Sequence, residues 1–169
     1  MKDGSEAAEH DNRPLAIFDI DGVLADVRHR LHLVAKRPKD WDAFFNAADT
    51  DPLLPQGYQL AHEMTETHEV LYLTGRPRRN QTITSAWLHH HGLPRGRLFM
   101  RPDRDWRPAR VFKRETLKTL AAQRDIAFVI DDDPEVVEVL RQDGLPVTLA
   151  TWAPYTKALA VAQEQEGRT

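Results

Sequence analysis

The sequence predicts an α/β fold: a mainly parallel sheet flanked by helices, with a small helical cap insertion after the first strand. Three observations lead there. Short apolar runs alternate with helical patterns between residues 15 and 150, the rhythm of successive β–α units. Three of those runs end in acidic or Thr-Gly residues, where open α/β sheets bind their ligands. The chain also has the length of one domain, 169 residues, with 41% hydrophobic and 29% charged residues, an ordinary globular balance.

The elements follow in order. Leu15–Phe18 is the first apolar run and stops at Asp19. Residues 25–55 break the rhythm: an Arg/His-rich stretch, a helix expected near Trp41–Ala48, then DTDPLLP, together reading as a cap-like insertion. Trp41, Phe44 and Phe45 stand at helical spacing and are its expected small core. A helix is expected near Gln56–Thr67, followed by the run Glu69–Leu73, which ends at Thr74-Gly75. Next come a helix near Arg79–His91, the shorter run Leu98–Met100 and a helix near Val111–Gln123. The clearest run, Ile126–Ile130, ends in Asp131-Asp132-Asp133; a helix near Pro134–Asp143 and the run Pro146–Leu149 close the pattern. Pro134 suits a first helical turn with Asp133 as its N-cap, and Gly92 and Gly144 stand where helices end. Pro77 is read likewise as a first helical turn, and Trp87 and Leu88 as packing that helix on the sheet. Residues 1–13 read as a disordered polar tail, 14–156 as the folded domain, and 157–169 as a helix end and tail.

Composition narrows the function. The chain has no cysteine, which excludes a disulfide scaffold, cysteine-ligated metal and a cysteine nucleophile. No apolar run approaches the roughly 20 residues that span a bilayer, and the first residues lack the apolar core of a secretory signal. A cytoplasmic protein without a membrane partner is expected. The net charge of −3 hides an uneven distribution: residues 95–114 carry eight basic residues against Asp103 and Asp105, a net of +6. Seven of the eight are arginines, suited to bidentate phosphate contact. Two readings stay open for this stretch. It is a solvated surface loop, or it is a rim that holds a polyanion, with Phe99 and Trp106 available to stack on a base.

The strand ends carry the chemistry. If the first, second and fourth runs lie side by side, Asp19, Asp21, Asp131, Asp132 and Asp133 converge on one crevice. Crowded carboxylates repel unless a cation sits among them, and an all-oxygen set suits Mg²⁺. Thr74 and Gly75 offer a hydroxyl and a backbone N–H to a phosphate. Lys113 adds a positive charge, and a carboxylate becomes a competent nucleophile toward phosphorus once charge repulsion is offset.

Four segments, FDIDGVL (18–24), LYLTGR (71–76), FKRETL (112–117) and FVIDDDPEVV (128–137), resemble the motifs of the haloacid dehalogenase (HAD) superfamily of phosphatases. The likeness covers roughly residues 15–150 and implies a Rossmann-like HAD core. It makes Asp19 a nucleophile that forms an aspartyl-phosphate, and Asp21 the general acid and then base. It makes Thr74 and Gly75 phosphate ligands and Lys113 the charge stabiliser. Mg²⁺ would be held by Asp19, the backbone carbonyl of Asp21 and Asp132, with Asp131 bound directly or through water; Asp133 looks like the helix cap. Within the superfamily the sequence is similar to the 3′-phosphatase domain of phage-type polynucleotide kinase-phosphatases. DDDPEVVEVLRQDG (131–144) carries that similarity, Arg76 matches an arginine after the Thr/Ser-Gly, and Arg30 one of the first loop. Both would bind substrate phosphate. The chain departs from that domain at Ala109, where an aspartate is expected shortly before the lysine, and it has no kinase phosphate loop. The substrate implied is a DNA or RNA 3′-phosphate end or a nucleotide, with a kinase or ligase on another chain as a partner. A small-metabolite phosphatase and a catalytically silent binding module are the alternatives.

The remaining histidines read as structural. Consecutive helical residues point about 100° apart, so His89, His90 and His91 do not converge on one ion and suit a helix C-terminus instead. His29 and His32 are expected at the surface of the insertion. Read from the residues alone, Arg28 and Arg30 stay open between solvent and substrate phosphate.

Overall fold

The structure, a computed structural model, describes residues 12–154 together with Ala160, Val161 and Gln165. Most of the tails expected at 1–13 and 157–169 lie outside the described residues. β1 (Leu15–Phe18) is followed by the insertion, which holds α1 (His32–Ala35), α2 (Trp41–Asn46) and 3₁₀ turns at Arg28–Arg30 and Ala47–Thr50. Then come α3 (Pro55–Met64), β2 (Glu69–Pro77), α4 (Gln81–His90) and β3 (Leu98–Arg101). The chain continues with α5 (Ala109–Ala121), β4 (Ile126–Asp131), α6 (Pro134–Gln142) and β5 (Val147–Leu149). The strands form one sheet in the order β3-β2-β1-β4-β5, and every pairing is parallel.

The period of two along the strands explains the layers. Leu15, Ile17, Leu71 and Leu73 face one side, where they pack with Phe112, Leu117 and Leu120 of α5 and Val136, Val137 and Leu140 of α6. Ala16, Phe18, Val70 and Tyr72 face the other, against Ala61 of α3 and Trp87 and Leu88 of α4. Burial on both faces is why these strands read as unbroken apolar runs. The insertion has its own small cluster of Val27, Val34, Phe44 and Phe45, with Trp41 packed on the two phenylalanines at ring separations of 5.6 and 6.0 Å. It is tied to the core by Trp87 Nε1, which donates to the Asp51 carbonyl at 2.8 Å, and by Leu54 N, which donates to the Leu24 carbonyl at 2.7 Å.

Two local expectations are corrected. Pro77 does not open a helix: it ends β2 in extended backbone, with ψ 148°. Proline biases the residue before it toward extended conformation, and β2 resumes pairing with β3 past a bulge, Pro77 opposite Arg101. The insertion also holds two short helices rather than one. The expected N-cap is present, with Asp133 accepting from Glu135 N at 2.9 Å. Among the described residues, no helix is long and apolar enough to cross a membrane.

The topology sets the site. The chain steps from β1 outward through β2 to β3, then returns to β4 on the other side of β1. Ligands bind at such a reversal, beyond the carboxyl ends of the strands. The central trio β2-β1-β4 carries Thr74-Gly75, Asp19 and Asp131 at those ends.

Candidate active site

Asp19 follows the last residue of β1 and stays in the ladder, its N–H donating to the Ile130 carbonyl at 3.0 Å. Its Oδ1 accepts from Ile20 N at 2.8 Å, and its Oδ2 lies 2.8 Å from Lys113 Nζ. Lys113, on the first turns of α5, is 2% exposed and also donates to Asp131 Oδ2 at 2.6 Å. Asp131 Oδ1 accepts from Asp133 N at 3.0 Å, which aligns the start of α6. Asp132 is half-buried, and its Oδ1 is a buried oxygen without a hydrogen-bond partner. Single carboxylate oxygens of Asp19, Asp131 and Asp132 lie within 4.8 Å of one another.

The backbone makes room for this crowding at Gly22. Its φ is +77°, a conformation that L side chains rarely adopt, and a Cβ there would lie 2.0 Å from Asp132 Oδ2. The turn around it is closed by N–H groups of Val23, Leu24 and Ala25 on the Ile20 carbonyl.

Asp21 belongs to a second, separate cluster. Its Oδ1 accepts from Arg30 Nη2 at 2.9 Å and from Arg76 Nε and Nη2 at 3.0 and 2.5 Å, while its Oδ2 is buried without a partner. Both guanidiniums are fully buried, and both also reach Asp51, Arg30 Nε at 2.7 Å and Arg76 Nη2 at 2.8 Å. Arg30 is stacked 4.1 Å from the centre of the Phe44 ring. The two arginines expected as phosphate ligands are therefore placed on carboxylates of this chain.

The charges divide cleanly between the clusters. Asp21 and Asp51 carry two negative charges against the two of Arg30 and Arg76, so that cluster is neutral. Asp19, Asp131 and Asp132, when all ionised, would carry three negative charges against the one of Lys113, an excess of two that only a bound cation offsets. The acidities follow. Burial, helped by Asp131, pushes Asp19 up to about 7 against the pull of Lys113. Burial and the neighbouring Asp19 and Asp131 raise Asp132 well above the usual carboxylate range. Burial acts on Asp21 too, but Arg76 and Arg30 outweigh it and hold its carboxyl below the usual range. Lys113 is raised, because Asp131 and Asp19 outweigh its burial. An excess of two negative charges on oxygen ligands, one of them unpartnered, fits a divalent hard cation.

Thr74 and Gly75 sit in β2 beside β1, with Thr74 Oγ1 accepting from Arg76 N at 3.2 Å. Ala109, at the departure from the likened domain, opens α5 and is packed in the core. Arg28 faces solvent in a pair with Asp26, its Nε 2.8 Å from Oδ1. His29 Nε2 lies 2.7 Å from Asp51 Oδ1, whereas His32 stays on the surface. His89 and His90 end α4 as expected. The His91 ring, packed 4.5 Å from that of Trp87, has its pKa lowered by burial rather than raised by the helix end.

The basic stretch is largely structural. Arg101 is buried and donates to the Gly75 carbonyl at 3.2 Å and to the Arg107 carbonyl at 2.7 Å. Arg107 pairs with Asp105 and Glu115, Arg114 with Asp143, and Arg97 with Glu69. Sequence reasoning missed Asp51. The signal available was indirect: two arginines near the strand ends need carboxylates if buried, and Asp51 closes the insertion just before the core resumes.

The family described as the polynucleotide kinase PNKP phosphatase domain matches residues 14–151 of the chain. Among solved structures, the fold is similar to a chain of the Pnkp1/Rnl/Hen1 RNA repair complex, with TM-score 0.68 and 23% identity over 91% of this chain. This chain spans about half the length of that one, 48%. A class C acid phosphatase from Bacillus anthracis superposes with TM-score 0.58 and 14% identity, over 81% of this chain and 64% of its own. A haloacid dehalogenase-like hydrolase from Streptococcus pneumoniae does so with TM-score 0.59 and 15% identity, over 90% and 91%. No curated protein matches the sequence.

Proposed function

The chain belongs to the family of polynucleotide kinase PNKP phosphatase domains and is a phosphatase of the haloacid dehalogenase superfamily; on that premise we propose that it removes the phosphate from a polynucleotide 3′ end, with Mg²⁺, through an aspartyl-phosphate on Asp19. The observation that carries this reading is the division of charge in the site. The neutral cluster orients an acid, and the cluster with two excess negative charges presents a nucleophile beside a cation site.

Asp19 attacks phosphorus, forming a carboxylate oxygen–phosphorus bond as the bond to the 3′ oxygen breaks. Asp21 gives that oxygen a proton. Water then attacks the aspartyl-phosphate with Asp21 as base, which releases inorganic phosphate and restores Asp19. Arg30 and Arg76 hold Oδ1 of Asp21 and leave Oδ2 open, and Oδ2 is the oxygen that gives and takes the proton. The arginines keep the resting carboxylate ionised, and the negative charge of an incoming phosphate drives it toward its protonated form. Lys113 offsets charge at Asp19, and Thr74 and Gly75 bind phosphate oxygens. Asp19, Asp132 and the Asp21 carbonyl would hold Mg²⁺, with Asp131 bound directly or through water; the ion supplies charge neutralisation at the phosphate. The solved Pnkp1/Rnl/Hen1 complex supports a kinase or ligase on another chain as the class of partner.

Phosphate release from a 3′-phosphorylated oligonucleotide, nucleotides and sugar phosphates, each with Mg²⁺ and with EDTA, tests the reading. Release from the oligonucleotide at the highest kcat/KM, abolished by EDTA and by Asp19→Asn in a folded protein, is expected. Activity retained by Asp19→Asn overturns the mechanism, and preference for a small phosphate overturns the substrate.

A further inference from the structure

We propose that the loop after β3, residues 102–108, is a platform for the unpaired nucleotide next to the 3′ phosphate, with the Trp106 ring stacking on its base. This rests on the polynucleotide reading above. Trp106 is the exposed large hydrophobic side chain among the described residues, 52% accessible. A single exposed ring is ordinary surface. The attachment of its loop to the Gly75 carbonyl through Arg101, and the arginines along that loop, set this one apart.

The loop is pinned on both sides to backbone leaving the phosphate strand. Buried Arg101 joins the Gly75 carbonyl to those of Asp105 and Arg107, which flank Trp106, at 3.2, 3.4 and 2.7 Å. At its other end, Asp103 Oδ1 accepts from Arg79 N at 2.8 Å. Trp106 is thus carried on a loop that cannot drift from Thr74-Gly75 without breaking these bonds. A shallow, open depression lies along the loop, lined by Pro102, Arg104, Asp105, Trp106 and Arg107. It shares Pro102 and Arg107 with a cleft of about 570 Å³, which reaches Phe99 and Arg78 just past the end of β2. Arg107 on this surface is paired with Asp105 and Glu115, so the positive charge facing the solvent there rests on Arg78 and Arg104. An aromatic ring beside cations is how sequence-tolerant single-strand sites are built: the ring takes a base and the cations follow the backbone.

The test compares kcat/KM for 3′-phosphorylated pentathymidylate with that for p-nitrophenyl phosphate. Stacking one base is worth about 5- to 140-fold in affinity. Trp106→Ala is expected to lower the ratio about tenfold through KM on the oligonucleotide, and Trp106→Phe to keep most of it. Unphosphorylated pentathymidylate is expected to quench the fluorescence of the wild-type protein and to lose most of that quenching with Trp106→Phe. An unchanged ratio in Trp106→Ala, with the oligonucleotide still preferred, overturns the platform and leaves the polynucleotide reading standing. A wild-type protein with no preference for the oligonucleotide overturns both.

Discussion

Replacing Gly22 by alanine moves one carboxylate and little else. The Cβ would lie 2.0 Å from Asp132 Oδ2 and 2.4 Å from its Cγ, and ordinary contact begins near 3.4 Å, so the carboxylate must withdraw by about 1.4 Å. The φ of +77° is kept by the closed turn between Ile20 and Ala25. Holding an L residue there costs about 1–2 kcal/mol, which for a domain of this size lowers Tm by about 2–8 °C. The chemical cost is larger, because a misplacement of about 1 Å is worth about 100-fold in rate. The expected result is a folded variant with kcat on a 3′-phosphorylated oligonucleotide lower by about two orders of magnitude and a raised Mg²⁺ requirement. Steady-state rates across a Mg²⁺ series, with thermal unfolding alongside, give both numbers. A kcat within threefold of wild type, at an unchanged Mg²⁺ requirement, would refute the claim that the position of Asp132 matters.

Three further outcomes follow from the same geometry. Asp51→Ala leaves two buried guanidiniums short of a carboxylate and should cost about 3–5 kcal/mol in urea unfolding, with a fall in kcat as Asp21 loses its alignment; a cost below 1 kcal/mol would contradict the pairing. Mg²⁺ should stabilise the protein by about 2.7 kcal/mol at a hundred times its Kd, read as a rise in Tm, and Asp132→Asn should remove most of that rise. If Asp132→Asn keeps the full shift, the ion sits elsewhere. Arg101→Ala should cost about 2–3 kcal/mol, since it strips charged donors from the buried Gly75 carbonyl and from the part-buried carbonyls of Asp105 and Arg107; no change in stability by urea unfolding would return Arg101 to a surface role.

What sequence reading reached, and what it missed, divides along a physical line. Asp19 and Asp131 are legible because each stands at the end of an apolar run, and such runs announce where a parallel strand ends. The capping role of Asp133 was visible because an N-cap contacts a backbone N–H two residues away. Asp51 was not visible. Its partners, Arg30 and Arg76, lie 21 and 25 residues off, and no local pattern records that they converge. Arg101 was hidden in another way. It stands among seven other basic residues, and only burial separates it from those at the surface. Pro77 misled because proline suits a first helical turn and a strand end equally well, and the choice rested with β3, which pairs beside it.

The sequence by itself determined the α/β class, the acidic strand ends and the kind of chemistry they support. Those properties follow from periodicity and from side chains within a few residues of one another. Only the tertiary structure decided that Arg30 and Arg76 are spent on Asp21 and Asp51, and that Lys113 bridges Asp19 and Asp131 beside Asp132. The physical reason is that the charge on a site is a sum over groups brought together from separate strands and from the insertion. Each term is written in the sequence, but which terms are added is set by the packing.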